Sequence, residues 1–198
     1  MKSTFGKIFS VLALIASMNV QADDIRLGAP GYGGNGCPAG TASVTLSPDQ
    51  KSLTLIFDQY LVEAGGPNAR TARKSCNIAI PVHVPNGLSI SIIAVDYRGF
   101  NSLPHGARSI FAAEYFFAGS QGPRVSRTFL GPLTQDYTIH NDLGVGAIVW
   151  SACGADVNLR VNTSMTAISN SRNDDVLSTV DSADFRAGII YRLQFRRC

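Results

Sequence analysis

The sequence predicts an all-β fold, a single antiparallel β-sandwich or jelly-roll-like domain of about nine strands stapled by disulfides. Two observations carry that expectation. Apolar residues recur with a period of two along most of the chain, and no amphipathic stretch of helical period has convincing length. Four cysteines, Cys37, Cys76, Cys153 and Cys198, follow an N-terminal secretory leader.

The leader has three parts: Lys2 and Lys7 at a positive start, an apolar run from Ile8 to Met18, and a small-residue cleavage pattern at Val20-Gln21-Ala22. The apolar run falls short of the about 20 residues that span a bilayer, and no later stretch approaches that length. The expected organisation is a signal peptide over 1–22, a glycine-rich arm over 23–40 and one β domain over 41–198. A lipid anchor would require a cysteine at the cleavage site, whereas the first is Cys37. The expected location is therefore secreted or periplasmic, with no transmembrane segment after cleavage. The formal charge of +3 includes both leader lysines, so the remainder is near neutral and carries no global footprint for a nucleic-acid partner.

The run from Gly28 to Gly36 is glycine-dense and opposes regular structure, with Cys37 as its anchor. It lacks the Lys and Ser/Thr that complete a phosphate loop. Thr41 to Leu46 and Lys51 to Tyr60 alternate across Ser47-Pro48-Asp49-Gln50, as in a β-hairpin. Cys76 to Val84 and Leu88 to Arg98, joined by Pro85-Asn86-Gly87, read as a second hairpin. The alternation slips at Ile92-Ile93, which predicts a bulge or burial on both faces. Ser109 to Phe117 is apolar on both sides and reads as a central strand. Val125 to Leu130 and Gly146 to Cys153 are further candidates, the latter with the single tryptophan, Trp150. Val157 to Ile168 alternates most regularly. Ser169 to Asp184 reads as a loop with one helical turn near Val176-Leu177, and Ile189 to Arg196 closes the fold.

An even number of cysteines in an exported chain points to bridges, and their wide spacing lacks the close pairs of a zinc site. Sequence alone leaves three pairings open. The preferred one joins Cys37 to Cys153 and Cys76 to Cys198, closing loops of roughly a hundred residues or more, for which chain entropy contributes roughly 4 to 5 kcal/mol each.

Several segments share one pattern: Asn35-Gly-Cys-Pro38, Ser43 to Pro48 leading into Leu53 to Tyr60, Arg73-Lys-Ser-Cys76, Pro85-Asn-Gly-Leu88, Tyr97-Arg-Gly-Phe100, Trp150-Ser-Ala-Cys-Gly154 and Arg196-Arg-Cys198. Together they resemble the small secreted four-cysteine proteins of domain-of-unknown-function family 4360, found in bacteria and filamentous fungi. The resemblance implies export and a single domain, and carries no catalytic residues.

The residues themselves select no catalytic constellation. His83, His105 and His140 have many serines for company, but no Gly-x-Ser-x-Gly elbow picks a nucleophile. Asp174, Asp175, Asp181 and Asp184 are the best calcium candidates, although their spacing departs from the EF-hand loop. No other cofactor is expected. The candidate binding surface joins the polar positions of the last two long strands. If those strands were neighbours, Asn158, Arg160 and Asn162 would face Arg192, Gln194 and Arg196, an array suited to sugar hydroxyls, carboxylates or sulfates. A second basic cluster, Arg70, Arg73 and Lys74, is expected in a loop. The function these features favour is a secreted, non-enzymatic interaction module for a glycan, an envelope polymer or a host surface protein. Alternatives are a secreted hydrolase or metal-assisted enzyme, and a structural or toxin-like envelope-associated protein.

Overall fold

The computed structural model describes residues 26–46, 48, 52–142, 150–180 and 189–198. The expected leader lies outside the described residues, as do most of the 47–50 turn and the Gly146 to Val149 part of one strand candidate. The described part of that candidate, Trp150 to Cys153, is not a strand.

Among the described residues the chain forms β-strands and no helix. They are β1 (Arg26–Leu27), β2 (Gly31–Gly33), β3 (Ala42–Leu46), β4 (Ser52–Phe57), β5 (Leu61–Ala64), β6 (Thr71–His83), β7 (Leu88–Leu103), β8 (Arg108–Phe117), β9 (Arg124–Leu130), β10 (Leu133–Asp142), β11 (Val157–Ile168), β12 (Val176–Thr179) and β13 (Ile189–Arg197). Two antiparallel sheets result. The first runs β1-β6-β11-β8-β9, with β2 also on β6. The second runs β3-β4-β13-β7-β12-β5, with β10 also on β7. The fold is thus the expected antiparallel sandwich, with more strands than the period alone suggested.

Strand length follows the run of alternation. In β6 the inward positions Cys76, Ile78, Ile80 and Val82 are buried, and so are Leu159, Val161, Thr163, Met165 and Ala167 of β11. β8 lies between β11 and β9, the central placement that its two apolar faces predict. The slip at Ile92-Ile93 is a register break: β13 pairs Arg192 with Ala94 but Leu193 with Ile92, which leaves Ile93 over.

Several expectations are overturned. β6 and β7 do not form a hairpin, because the turn at Pro85–Gly87 carries the chain from the first sheet to the second. Each strand buries one apolar face between the sheets, and alternation of that kind is met equally by a hairpin within one sheet or by a corner between two. The chain crosses again at Pro104–Ala107 and at the cis Gly131-Pro132 bond. Val176–Thr179 is a strand against β5 and β7, not a helical turn. Within the expected glycine-rich arm, Arg26–Leu27 and Gly31–Gly33 are strands on the edge of β6, where the glycine run predicts no regular element. Glycine disfavours a strand through entropy, but ladder bonds to a long neighbour offset that cost here.

The disulfide pairing also differs from the preferred one: Cys37 joins Cys76 and Cys153 joins Cys198, with Cα separations of 5.4 and 6.2 Å. The ladder explains both. Gly33 pairs with Asn77 and Gly36 N–H donates to Ser75 O at 2.9 Å, which carries Cys37 onto Cys76. Gly154 N–H donates to Leu88 O and Cys198 N–H to Gly87 O, so the other two cysteines converge on the corner between β6 and β7.

Buried polar groups tie the sheets together. Tyr60 OH and Thr163 Oγ1 lie 3.1 Å apart; the threonine hydroxyl donates to Cys76 O, so the phenol donates to the threonine. Tyr97 and Tyr115 share a hydroxyl contact of 2.6 Å, and Asn141 donates to Tyr115. Asn101 Oδ1 accepts from Ser109 and Ser178, across the gap and along it. These bonds form in one relative placement of the sheets only, so they select that placement over others of similar apolar contact, although Asn101 Nδ2 is buried without a hydrogen-bond partner.

Burial pushes the phenols of Tyr60 and Tyr115 well above their ordinary value of 10.0, against the opposing pull of their hydrogen bonds. Folding therefore favours the neutral phenol. Its contribution is complete below pH 10 and is lost as pH rises from there through the raised folded values. A melting-temperature profile from pH 8 to 12 should fall on its alkaline limb, and Tyr60→Phe with Tyr115→Phe should flatten that limb. An unchanged slope in the double variant would contradict this origin.

Candidate functional site

The strands that bury one side of the first sheet turn their other side outward. β6 presents Arg73, Ser75, Asn77, Ala79, Pro81 and His83; β11 presents Asn158, Arg160, Asn162, Ser164 and Thr166; β8 presents Ala112, Glu114 and Phe116. Register sorts them into rows across the sheet. Asn77, Asn162, Glu114 and Arg124 form one row, Ser75, Ser164, Ala112 and Ser126 the next, and Ala79, Arg160 and Phe116 another. Ser and Ala form a low floor while arginines and asparagines stand around it. The result is a depression of about 270 Å³ bordered by Arg73, Asn77, Glu114, Arg124 and Asn162.

These side chains are unspent. Among the described residues Arg73, Arg124, Arg160 and Glu114 form no ion pair, and the amides of Asn77 and Asn162 hold no hydrogen bond. Guanidinium forks and amides in one shallow bowl suit a ligand rich in hydroxyl or carboxyl oxygens.

A second, larger cleft of about 430 Å³ opens where β1, β6 and β11 meet. Leu27 and Val82 are buried, so the cleft lies on the side of Arg26, His83 and Asn158, the same outer face. His83 Nδ1 stands 2.7 Å from Asp156 Oδ1 at its edge. Among the described residues the lining holds no serine, threonine or cysteine.

Three of the six expected surface residues, Asn158, Arg160 and Asn162, thus share this face. The other three do not join them, because β11 pairs with β6 and β8 whereas β13 lies in the other sheet between β4 and β7. Arg196 stacks its guanidinium 4.2 Å from the Trp150 ring centre. The side chains of Arg192 and Gln194 lie outside the described residues. Sequence reasoning missed Ser75, Asn77, Glu114 and Arg124. For β6 the signal was present, since its apolar alternation already implies an opposite polar face. Of the basic cluster expected in a loop, Arg73 and Lys74 stand in β6 instead, and Arg70 Nη2 donates to Ser171 O at 2.7 Å.

The histidines stand apart. His105 offers its carbonyl to Asn170 Nδ2 at 2.8 Å, and His140 bonds Asp96 on the second sheet. Of the calcium candidates, Asp181 and Asp184 fall outside the described residues. Asp174 Oδ2 accepts from Asn170 Nδ2 at 2.7 Å and from Arg172 Nε at 3.2 Å, and these bonds hold its carboxyl below the usual range. Asp175 sits against Gly66. No group of three or more metal-ligating side chains occurs among the described residues, and no described helix is long and apolar enough to cross a membrane.

A protein of Arthroderma benhamiae described as an uncharacterized secreted protein is 35% identical over 178 residues, covering 89% of this chain and 73% of that one. Among solved structures, TmCBM61 in complex with beta-1,4-galactotriose aligns over 85% of this chain and 88% of its own at 11% identity and a TM-score of 0.32, a likeness too slight to transfer a ligand. The two disulfides and the secreted relative mark a protein that is secreted or periplasmic. Residues 23–198 match the domain of unknown function DUF4360, and the chain belongs to that family.

Proposed function

We propose that this protein is a secreted, non-enzymatic module that binds a glycan on the outer face of its first sheet. The supporting observation is the bowl of uncommitted hydrogen-bonding side chains around Asn77 and Asn162. A sugar offers many hydroxyls at fixed spacing, and planar amides and guanidinium groups on adjacent strands meet such a pattern without rearrangement. The floor is rigid because the strands beneath it carry the core, so little ordering entropy opposes binding.

The test is retention of the mature oxidised protein on a panel of polysaccharides. Paired Asn77→Ala and Asn162→Ala substitution should weaken retention on whichever glycan binds by about tenfold, near 1.4 kcal/mol, with an unchanged melting temperature. Retention on none of the panel, or equal retention of the double variant, would overturn the reading.

A further inference from the structure

We infer that the two depressions are parts of one track, and that it takes a linear polysaccharide bearing carboxylates or sulfates along its length. This rests on the glycan reading above and goes on to name the ligand's charge and shape. Both depressions lie on the outward residues of β6 and β11. Asn77 belongs to the smaller, Pro81 and His83 to the larger, and the row of Ala79 and Arg160 lies between them. From Arg73 to His83, steps of about 3.3 Å per residue make a track of roughly 30 Å. That is room for several sugar units laid along the strands.

Cations are distributed along this track. Arg73 stands near one end, Arg124 in the Asn77 row and Arg160 in the Ala79 row, with Arg26 opposite His83 at the far end. Two carboxylates, Glu114 and Asp156, stand on it, and Asp156 is engaged by His83. A neutral chain would leave the guanidinium groups of Arg73, Arg124 and Arg160 unanswered. Repeated anionic groups would meet them as charge-assisted pairs. Phe116 beside Arg160 adds an apolar surface for a sugar ring face.

One edge of the track can be closed without disturbing the fold. Gly31 and Gly33 of β2 pair with Ala79 and Asn77, and a Cβ at either position would meet only open space. Neither has a positive φ. A large side chain placed there projects over the track.

The experiment uses the mature oxidised protein and two matched pairs of probes, polygalacturonate against its methyl ester, and dextran sulfate against dextran. A charged member should bind at least about tenfold more tightly than its neutral partner, and added salt should weaken that preference. Oligogalacturonate affinity should rise with length and level off once the chain spans the track. Gly33→Trp should abolish most binding at unchanged melting temperature, and Arg73→Gln, Arg124→Gln and Arg160→Gln should each weaken it. Equal binding within both pairs would overturn this inference and leave the glycan reading standing. Failure of every polysaccharide would remove that reading as well. Equal affinity for single-stranded DNA would overturn the inference by reducing the face to a general polyanion surface.

Discussion

Replacing Cys37 and Cys76 together by alanine is expected to lower the unfolding free energy by about 4 kcal/mol, the chain-entropy contribution of closing a loop of their separation. For a chain of this size that corresponds to a fall in melting temperature of roughly 8 to 16 °C. The bridge closes a 39-residue loop, and both cysteines are fully buried, so alanine also forfeits packing. The second bridge closes 45 residues, and its thermodynamic contribution should be of the same order. Its accessibility differs, because Cys153 and Cys198 are exposed. Mild reductant should therefore open Cys153–Cys198 first, giving a species with two titratable thiols that retains the Cys37–Cys76 bridge. Peptide mapping after timed alkylation reads the order directly. Simultaneous loss of both bridges would contradict that order, and a negligible change in melting temperature for the Cys37/Cys76 variant would show that its loop contributes little.

Phe111→Ala should be comparably damaging, at about 3 to 5 kcal/mol. The ring is 1% exposed and its centre lies 4.5 Å from that of Tyr97, which belongs to the opposite sheet. Truncation leaves a cavity between sheets whose backbones are held by long ladders on both sides, so collapse into it is limited. It also loosens Tyr97, whose hydroxyl meets Tyr115. The effects of Phe111→Ala and Tyr97→Phe should therefore not add, and a double-mutant cycle measures the shortfall. Phe116→Ala, five residues on but facing outward, is the control and should cost far less in denaturant unfolding. If the two alanine variants melt alike, the assignment of inward and outward faces on β8 is wrong.

The chain's alternation made the sandwich legible, because burial on one side of a strand leaves a period of two in the sequence itself. It exposed β8, β9, β11 and β13 with nearly their observed bounds. What periodicity cannot carry is which sheet a strand enters. Val84 and Leu88 flank the same turn in a hairpin or a corner, and only the packing of distant strands decides between them. That ambiguity explains two corrections at once. β6 and β7 were expected to pair, and Asn158, Arg160 and Asn162 were expected to face β13. Had the corner been recognised, the outer face of β6 would have been the natural partner for β11. β10 escaped notice because Leu133 to Asp142 is mostly polar, with Tyr137 and Ile139 its deeply buried apolar residues. β2 escaped because two of its three residues are glycines, which carry no side-chain pattern, and β1 because two residues are too few to show a period.

The pairing of the four cysteines bears on how the molecule would carry a mechanical load. A pull on the two ends passes from Cys37 across its sulfur bridge to Cys76, follows the backbone to Cys153, and crosses the second bridge to Cys198. The segments inside the two covalent loops lie off that route, so tension cannot draw them out. Between Cys37 and Cys198, only the stretch from Cys76 to Cys153 can lengthen. It contains the whole of β7, β8, β9 and β10, so extension has to begin by parting their ladders from strands that the bridges keep slack.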